Sequence, residues 1–460
     1  MTTMSRCACR RAILAGVFVL GAAALSVASP ESVQRDPRVE KLLSQISEQR
    51  LVATLQKLGS FGTRNTLSST DSATAGIGAA RQWIFDEMKK SSPRLQVNFD
   101  SFQVPKSGRI TRDIELRNVM AVLPGKTARR VYVSAHYDSF ARRPVPASSP
   151  QPAGAPQAAG TPPPAAAAAD TAPVDNPAPG VNDDGSGTAL VMELARVFAE
   201  SGIEFDATLV FIALAGEEQG LIGAQKHAEK ALAEKVAIEG VLNNDMVGNV
   251  QAGDGLQDST RVRVFSEAPE DSPSRQLARY VASAAARYVP TQQVTLVARH
   301  DRFGRGGDHT AFNQKGFTAV RITEALENFE RQHTAADTIE GVNVPYFLRN
   351  VRINAAAAAS IALAPPAPVV ADGRGQPTLG RQPSGYDSNL KWKASPGAAG
   401  YKVYWREAWT PNWQHVLAVG NVTEFVLPSV SIDDYVFGVA AVGSDGSESL
   451  VAVYVNPPRR

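Results

Sequence analysis

Residues 207–220 read ATLVFIALAGEEQG, an apolar run followed by two adjacent acidic residues. The mostly apolar run Ala207–Leu214 predicts a strand that is buried on both faces of a sheet. Glu217 and Glu218 follow this strand and precede Gly220, so two adjacent carboxylates are expected at the mouth of the sheet. Like charges repel there unless cations neutralise them, although an exposed acidic turn would have the same sequence.

The segments on either side of this strand carry alternating helical and strand patterns. Helices that alternate with short apolar strands predict an α/β domain whose sheet has parallel character. In such sheets, functional residues lie beyond the carboxyl ends of the strands. The predicted helices are Val39–Lys57, Ala79–Lys90, Thr188–Glu200, Gly220–Lys235, Ser274–Tyr288 and Val344–Ala362. The other predicted strands are Leu95–Val104, Ile114–Leu123, Val131–Ala135, Val236–Asn244 and Phe317–Thr323.

Composition divides the chain into a large domain, 39–364, and a smaller C-terminal one. Within the first, 142–180 is rich in Pro and Ala and is predicted to be a disordered insertion, with either no role or a role in access to the site. Residues 365–383 form a predicted Pro/Gly-rich linker. The short alternating strands of 384–460 predict an all-β sandwich, and Trp392 with its aromatic neighbours gives this part a resemblance to a fibronectin type III module.

The N-terminal segment 1–28 orders basic, apolar and small residues as a cleavable export signal does. Its removal would take away both cysteines of the chain, Cys7 and Cys9, which leaves no disulfide or thiolate site. It would also remove three arginines and no acid, which leaves 44 basic against 45 acidic residues. The sequence therefore predicts a periplasmic or extracellular protein with no nucleic-acid partner and no membrane span after cleavage.

The chain has six histidines, and two of them stand with carboxylates near strand ends. His136 ends the strand Val131–Ala135, and His333 follows the strand Phe317–Thr323. Asp183 opens a helix, and Asp245 ends the segment around Asn244. Taken alone, each of these residues is equally compatible with an ordinary structural role. Together with Glu218 they give imidazole and oxygen donors without thiolate, which suits zinc or manganese in an open, catalytic site.

The ordered motifs of this domain closely resemble those of the co-catalytic zinc exopeptidases, a family that includes bacterial aminopeptidases and glutamate carboxypeptidase. The resemblance spans about Leu42–Ala364. It implies a three-layer α/β/α sandwich, phosphorylase/hydrolase-like, with a mixed, mostly parallel sheet. The motifs are His136-x-Asp138, Asp183-x-x-Ser186-Gly187, Glu217-Glu218, Asn244-Asp245-Met246, His333-Thr334-x-x-Asp337-Thr338, Phe61-Gly62-Thr63-Arg64 and Arg117-Asn118-Val119.

The resemblance also implies a role for each donor. His136 and Asp245 would hold one Zn²⁺, Glu218 and His333 a second, and Asp183 would bridge the two, next to a cis peptide bond with Asp184. Glu217 would be the general base, with Asp138 supporting His136 and Asp337 doing the same near His333. Asp308-His309 matches a pair that lines the family's site, whereas Gly304 stands where some aminopeptidases have a tyrosine. Oxyanion stabilisation would then rest on zinc alone or on a neighbour such as Arg305.

These roles predict an exported aminopeptidase with two zinc ions per subunit that acts on peptides with a free N-terminus. A carboxypeptidase or dipeptidase could use the same site, and a glutaminyl cyclase is disfavoured because its chemistry uses one zinc. A catalytically silent binding protein of the same fold is the alternative outside enzymes, but neither a ligand nor Glu217 is missing. The C-terminal module could contact a surface or polymer through Trp405, Trp409 and Trp413, or these residues could serve packing alone.

Overall fold

A computed structural model describes residues 35–142 and 173–456 of the 460-residue chain. The predicted signal, 1–28, lies outside the described residues. Within them, no helix combines the length and apolar character that spanning a membrane requires. The first eight strands are β1 (Gln96–Val104), β2 (Ile114–Leu123), β3 (Arg130–His136), β4 (Thr208–Leu214), β5 (Ile238–Asn244), β6 (Arg261–Ser266), β7 (Gln293–Val297) and β8 (Ala319–Glu324).

These eight strands form one mixed sheet in the order β1-β2-β4-β3-β5-β8-β6-β7. The four central strands β4, β3, β5 and β8 run parallel to one another, as does the pair β6 and β7. The pairs β1-β2, β2-β4 and β6-β8 are antiparallel. The predicted mixed, mostly parallel sheet is confirmed, and its four parallel central strands end at one edge.

Helices cover both faces of this sheet and complete three layers. On one face, two helices bury Ala224, Ala228 and Phe312 against Tyr132 and Val210 of the central strands. Side chains from the other helices form a larger apolar cluster on the opposite face. The helices are α1 (Pro37–Gln45), α2 (Glu48–Gly59), α3 (Gly76–Ser91), α4 (Gly185–Glu200), α5 (Ile222–Ala233), α6 (Pro273–Tyr288), α7 (Asp308–Gln314) and α8 (Val344–Leu363).

The single helix predicted over Val39–Lys57 is in fact two helices, α1 and α2. Ile46 has extended backbone geometry, and the hydroxyl of Ser47 caps α2 by accepting from the N–H of Arg50. The N–H of Ser47 donates to a carboxylate oxygen of Glu193 on α4 at 2.7 Å. The apolar spacing continues across the break, but capping and this tertiary contact end the first helix. Within 39–364, one α-helix and two β-strands lie outside the predicted set: α7, β6 and β7.

The C-terminal region is β-rich, with the strands β9 (Leu379–Arg381), β10 (Ser388–Lys391), β11 (Ala398–Glu407), β12 (His415–Gly420), β13 (Glu424–Leu427), β14 (Tyr435–Gly443) and β15 (Ala452–Val453). These strands form two antiparallel sheets, with strand orders β13-β10-β9 and β12-β11-β14-β15. Their apolar side chains, including Trp392, Tyr401 and Phe437, form a separate core. The strand β9 lies inside 365–383, the segment predicted as a linker. The likeness to a fibronectin type III module stays a prediction.

This region packs against α6 through polar contacts. Trp413 donates its indole N–H to Gln276 at 3.2 Å, and the hydroxyl of Tyr280 donates to the carbonyl of Glu448 at 2.9 Å. Trp405 stacks on His415, whereas Trp409 is 71% exposed. The three tryptophans predicted as a platform or as packing residues therefore have three different environments, and Trp413 contacts the large domain.

Both ends of the predicted insertion 142–180 are ordered. The N–H of Arg142 donates to the carbonyl of His333 at 2.8 Å, and the N–H of Ala178 donates to the carbonyl of Gly62 at 2.9 Å. The carbonyl of Ala178 also accepts from the hydroxyl of Ser139 at 2.7 Å. These hydrogen bonds hold Arg142 and Ala178, which have little apolar surface to bury. Residues 143–172 of the prediction lie outside the described residues.

Candidate metal centre

The predicted donors meet where the central parallel strands end. His136 is the last residue of β3, and Asp245 directly follows β5. Glu218 comes four residues after the end of β4, and Asp183 precedes α4. His333 lies in the loop after β8, with a left-handed backbone conformation (φ 60°). Side chains from five separate segments thus converge at one edge of the sheet.

Two sets of donors share Asp183. One carboxylate oxygen of Asp183, Oδ1, lies 3.4 Å from His136 Nε2, which is also 3.8 Å from Asp245 Oδ1. The other oxygen, Oδ2, lies 3.1 Å from His333 Nε2, which is also 2.9 Å from Glu218 Oε1. Asp183 therefore faces one histidine and one carboxylate on each side.

These distances fit metal binding. Ligand atoms around a tetrahedral zinc with bonds of about 2.0–2.2 Å lie roughly 3.3–3.6 Å from one another, close to the separations between these donors. Glu218 Oε1 is buried and accepts no hydrogen bond among the described residues. A buried carboxylate oxygen without a donor is costly unless a cation binds it. The set of imidazole and oxygen donors is also one that zinc accepts.

The protonation equilibria of these groups are shifted as expected for a site that needs cations. Burial disfavours the imidazolium of His136, yet the carboxylates of Asp138, Asp183 and Asp245 outweigh burial and raise the pKa of His136 well above its usual value. The recessed position of Glu217 raises its pKa well above normal, and the charges of Asp245 and Glu218 add to this. Protons thus stabilise the crowded carboxylates where metal ions would otherwise do so.

A cavity of about 400 Å³ opens onto both donor sets. Glu217 lines this cavity beside Glu218 and, unlike Glu218, makes no close contact with either histidine within residues 35–142 and 173–456. The remaining wall includes three guanidinium groups, from Arg109, Arg302 and Arg305. The cavity therefore combines a metal-binding edge, one carboxylate outside the donor sets and a basic wall.

Comparison with known proteins identifies the family. The model of peptidase family M28 matches residues 118–358. A protein of Leptosphaeria maculans described as a probable zinc metalloprotease is 35% identical over 457 residues, covering 92% of this chain and 97% of that protein. A Pyrenophora teres f. teres protein with the same description is 35% identical over 459 residues, covering 92% and 87%. The chain belongs to peptidase family M28. It is a zinc-dependent metallopeptidase.

Solved structures at lower identity share the fold. The Legionella pneumophila LapA aminopeptidase aligns with a TM-score of 0.54 at 20% identity, covering 74% of this chain and 78% of that one. A glutaminyl cyclase from Macrostomum lignano aligns with a TM-score of 0.51 at 17% identity, covering 72% and 94%. Proteins described as an aminopeptidase and as a glutaminyl cyclase thus share this fold, so the fold alone does not specify the reaction.

Asp138 contacts residues of both donor sets of the M28 site. Its main-chain oxygen lies 3.1 Å from His136 Nδ1, which leaves Nε2 of that ring to face Asp183. Its two carboxylate oxygens accept the N–H groups of Glu217 and Glu218, each at 3.2 Å. Asp138 therefore orients one histidine and the loop that carries both glutamates.

Asp184 holds the backbone on the other side of the site. Its oxygens accept the N–H groups of His136 at 3.1 Å, Gly187 at 2.9 Å and Met246 at 3.2 Å. Both oxygens are therefore occupied by main-chain donors, so Asp184 braces the site although it lies close enough to His136 and Asp245 to be a ligand. Gly187 is required here, because a Cβ would lie 2.5 Å from the Asp184 carboxylate. The peptide bond between Asp183 and Asp184 is cis, as the family resemblance predicts.

Two further side chains that were not predicted from the sequence support the donors. Arg321, fully buried, places its guanidinium 3.0 Å from Asp245 Oδ2 and 3.1 Å from Asp301 Oδ2. Gln332 donates its side-chain amide to Asp183 Oδ2 at 2.8 Å. Gln332 immediately precedes the motif histidine, which is a signal that could have found it. Arg321 lies inside an apolar strand, where a charged side chain needs a buried partner. This requirement was the signal in the sequence that could have identified Arg321.

Asp337 differs from its prediction. Its carboxylate accepts the main-chain N–H groups of Asn182 and Asp183, both at 2.9 Å, and so positions Asp183 rather than His333. Burial raises the pKa of Asp337 to about 7. The reason is topological, because the turn after His333 directs Asp337 toward the loop before α4.

Asp308 is buried with neither carboxylate oxygen hydrogen-bonded to a described residue, and burial raises its pKa to about 8.

The two remaining motifs hold the loops around the site. The buried guanidinium of Arg64 donates to the carbonyls of Tyr137 at 2.7 Å and Gly180 at 2.8 Å, which joins the end of β3 to the segment before Asp183. Asn118 accepts the N–H of Ala215 at 3.0 Å and donates to the carbonyl of Gly223 at 3.1 Å. It thereby clamps both ends of the loop that carries Glu217 and Glu218.

Proposed function

We propose that this M28 chain is an aminopeptidase that uses two zinc ions and Glu217. The observation that carries the proposal is the position of Asp183, whose two oxygens face two separate histidine–carboxylate pairs. His136, Asp183 and Asp245 would hold one ion, and Asp183, Glu218 and His333 the other. When bound, zinc would polarise the scissile carbonyl and lower the pKa of a water molecule, so that this water can lose a proton and attack the carbonyl near neutral pH.

Glu217 is the group that would move the proton. It lines the cavity, it is the carboxylate left outside both donor sets, and its raised pKa suits a group that must both accept and release a proton. Its main-chain N–H is fixed by Asp138 at 3.2 Å, which restricts where the side chain can point. The Glu217 carboxylate would take a proton from the attacking water and deliver it to the departing amine.

Selection for a free N-terminus would come from Glu217 and from the metal ions. A free α-amine is a cation or a strong donor, and Glu217 is the cavity carboxylate that stays available to accept from it once Asp183, Glu218 and Asp245 hold zinc. The neutral amine also has a lone pair that zinc could accept. An acylated N-terminus has no such charge and would therefore bind poorly. The description of the Legionella protein that shares this fold as an aminopeptidase supports the same proposal.

The test is hydrolysis of aminoacyl-chromophore substrates by the purified, zinc-supplemented protein, with metal content measured in parallel. Two zinc ions per chain, activity abolished by chelator and by Glu217→Gln, and no activity on N-acetylated substrates would support the proposal. Because Gln keeps the shape of the side chain, zinc content should be unchanged in that variant. A loss of activity of about 10²–10⁴-fold is expected for removal of a general base.

Other results would identify the alternatives. Activity on blocked peptides with a free C-terminus would indicate a carboxypeptidase, and activity on dipeptides alone a dipeptidase. Ammonia release from an N-terminal glutamine peptide would indicate a cyclase. Silence on every substrate would favour a binding protein. We also propose that residues 1–28 direct export, to the periplasm or the medium, and N-terminal sequencing of the protein from cell fractions would test this.

A further inference from the structure

The basic wall of the cavity is not explained by peptide-bond hydrolysis alone. Arg302 and Arg305 come from the loop between β7 and α7, and Arg109 comes from the connection between β1 and β2. Four carboxylates also line the cavity. Two zinc ions would offset the four negative charges, and the three guanidiniums would then leave the occupied cavity with a net positive charge.

A buried glutamate beneath this wall holds two of the guanidiniums in place. Glu327 Oε2 accepts from Arg302 at 2.6 Å and from Arg305 at 2.9 Å, while Oε1 accepts from Arg263 at 2.9 Å. One carboxylate, 8% exposed, thus serves three arginines. The Arg305 guanidinium also lies 5.6 Å from the ring centre of Phe329. The charge of the wall is therefore fixed in position and only partly neutralised.

Two arginines keep donors for a ligand. Arg305 uses only Nη1 in hydrogen bonds to described residues, and Arg109 uses only Nη1, which donates to the neutral carbonyl of Glu218 at 2.7 Å. Across 35–142 and 173–456, the Nε and Nη2 groups of both side chains have no hydrogen-bond partner. Planar guanidinium groups with two adjacent free donors match the two oxygens of a carboxylate.

We propose that this cavity selects substrates that carry a carboxylate near the scissile bond, with Arg305 as the principal contact and Arg109 as a second. This inference rests on the proposed function and specifies its substrate class. The carboxylate has two sources: the side chain of an N-terminal Asp or Glu, or the free C-terminus of a dipeptide. An apolar or basic group at this wall would leave guanidiniums without a partner or facing a like charge.

The experiment compares isosteric substrate pairs on zinc-loaded protein. A glutamyl and a glutaminyl chromophore report on the side-chain source, while Ala-Ala and Ala-Ala amide report on the C-terminal source. We expect kcat/KM for the carboxylate member of at least one pair to exceed that of its amide by about 10- to 100-fold. Arg305→Gln should remove most of this ratio, and Arg109→Gln part of it.

Arg263→Gln is the matched control, because it removes a guanidinium from the same glutamate but from outside the cavity lining. The ratio should stay within about threefold of the wild type in this variant. Equal rates within both pairs, or an Arg305→Gln variant that slows every substrate alike, would overturn the inference. The second result would instead assign Arg305 to the developing oxyanion.

A binding measurement separates this inference from the proposed function. Titration of glutarate into zinc-loaded protein reports on the carboxylate site without any reaction. If no substrate is cleaved but glutarate binds the wild type at least tenfold more tightly than it binds Arg305→Gln, the carboxylate site stands and the exopeptidase proposal fails. If substrates are cleaved and glutarate binding is the same in both proteins, the carboxylate site is refuted and the exopeptidase proposal stands.

Discussion

Replacing Asp138 with Asn should weaken zinc binding and activity together. The two oxygens of Asp138 each accept one main-chain N–H, from Glu217 and Glu218, at 3.2 Å. In the Asp138→Asn variant one of these oxygens becomes an NH₂ group, so one N–H loses its acceptor and faces another donor. The negative charge beside His136 is lost as well. The side chain keeps its size, which separates this effect from a packing defect.

The magnitude follows from the bond that is lost. A hydrogen bond to a charged acceptor contributes about 1.5–3 kcal/mol, and about 2 kcal/mol corresponds to roughly 30-fold in an equilibrium constant. This agrees with the typical cost of about 10- to 100-fold for changing a residue that supports a metal ligand. We therefore expect zinc affinity to fall about 30-fold in Asp138→Asn, and kcat/KM to fall with it.

The assay is zinc competition against a chromophoric chelator at fixed pH, with kcat/KM measured on the same samples. Thr66→Val is the matched control, because it removes only the hydroxyl that donates to Asp138 Oδ2 at 3.1 Å and leaves the carboxylate intact. Its effect should be below about tenfold, because the carboxylate keeps its charge and both main-chain donors, and the loss of the hydroxyl leaves no buried N–H without an acceptor. A folded Asp138→Asn protein with wild-type zinc affinity and wild-type kcat/KM would refute the reasoning.

Three further outcomes are expected. Arg321→Met leaves Asp301 and Asp245 without their shared guanidinium, so the unfolding free energy should fall by about 3 kcal/mol. Added zinc should recover part of this loss in thermal unfolding, and an unchanged Tm would contradict it. Burial opposes ionisation of Asp100, yet hydrogen bonds from His227 and Lys230 hold its pKa below the usual value. The carboxylate therefore stabilises the fold above about pH 4 and loses this effect as pH falls through its folded pKa. Asp100→Asn should be less stable at pH 7 in urea unfolding and approach wild type below about pH 4; a constant difference would argue against this. Chelation should lower the Tm of the wild type, and zinc at about 100 times its Kd should restore about 2.7 kcal/mol.

Several features of the fold could be predicted because their signals are local. The apolar runs of β3, β4 and β5 end at donors or just before them, and parallel strands bring their carboxyl ends to one edge. Weaker signals were missed. The strand β7 is half-exposed at the edge of the sheet, and α7 has only seven residues, so neither has a long apolar period. The helix break at Ile46 depends on the cap by Ser47 and a contact to Glu193, which is distant in sequence.

The class of the fold, the family motifs and the candidate donor residues could be read from the sequence alone, because they depend on residue type and on order along the chain. The three-dimensional arrangement was needed to show that Asp183 faces two donor sets, that Asp337 supports Asp183 rather than His333, and that Arg305 shares Glu327 with Arg302. These relations join residues on separate loops. Their geometry follows from how strands pair and loops pack, which local periodicity does not encode.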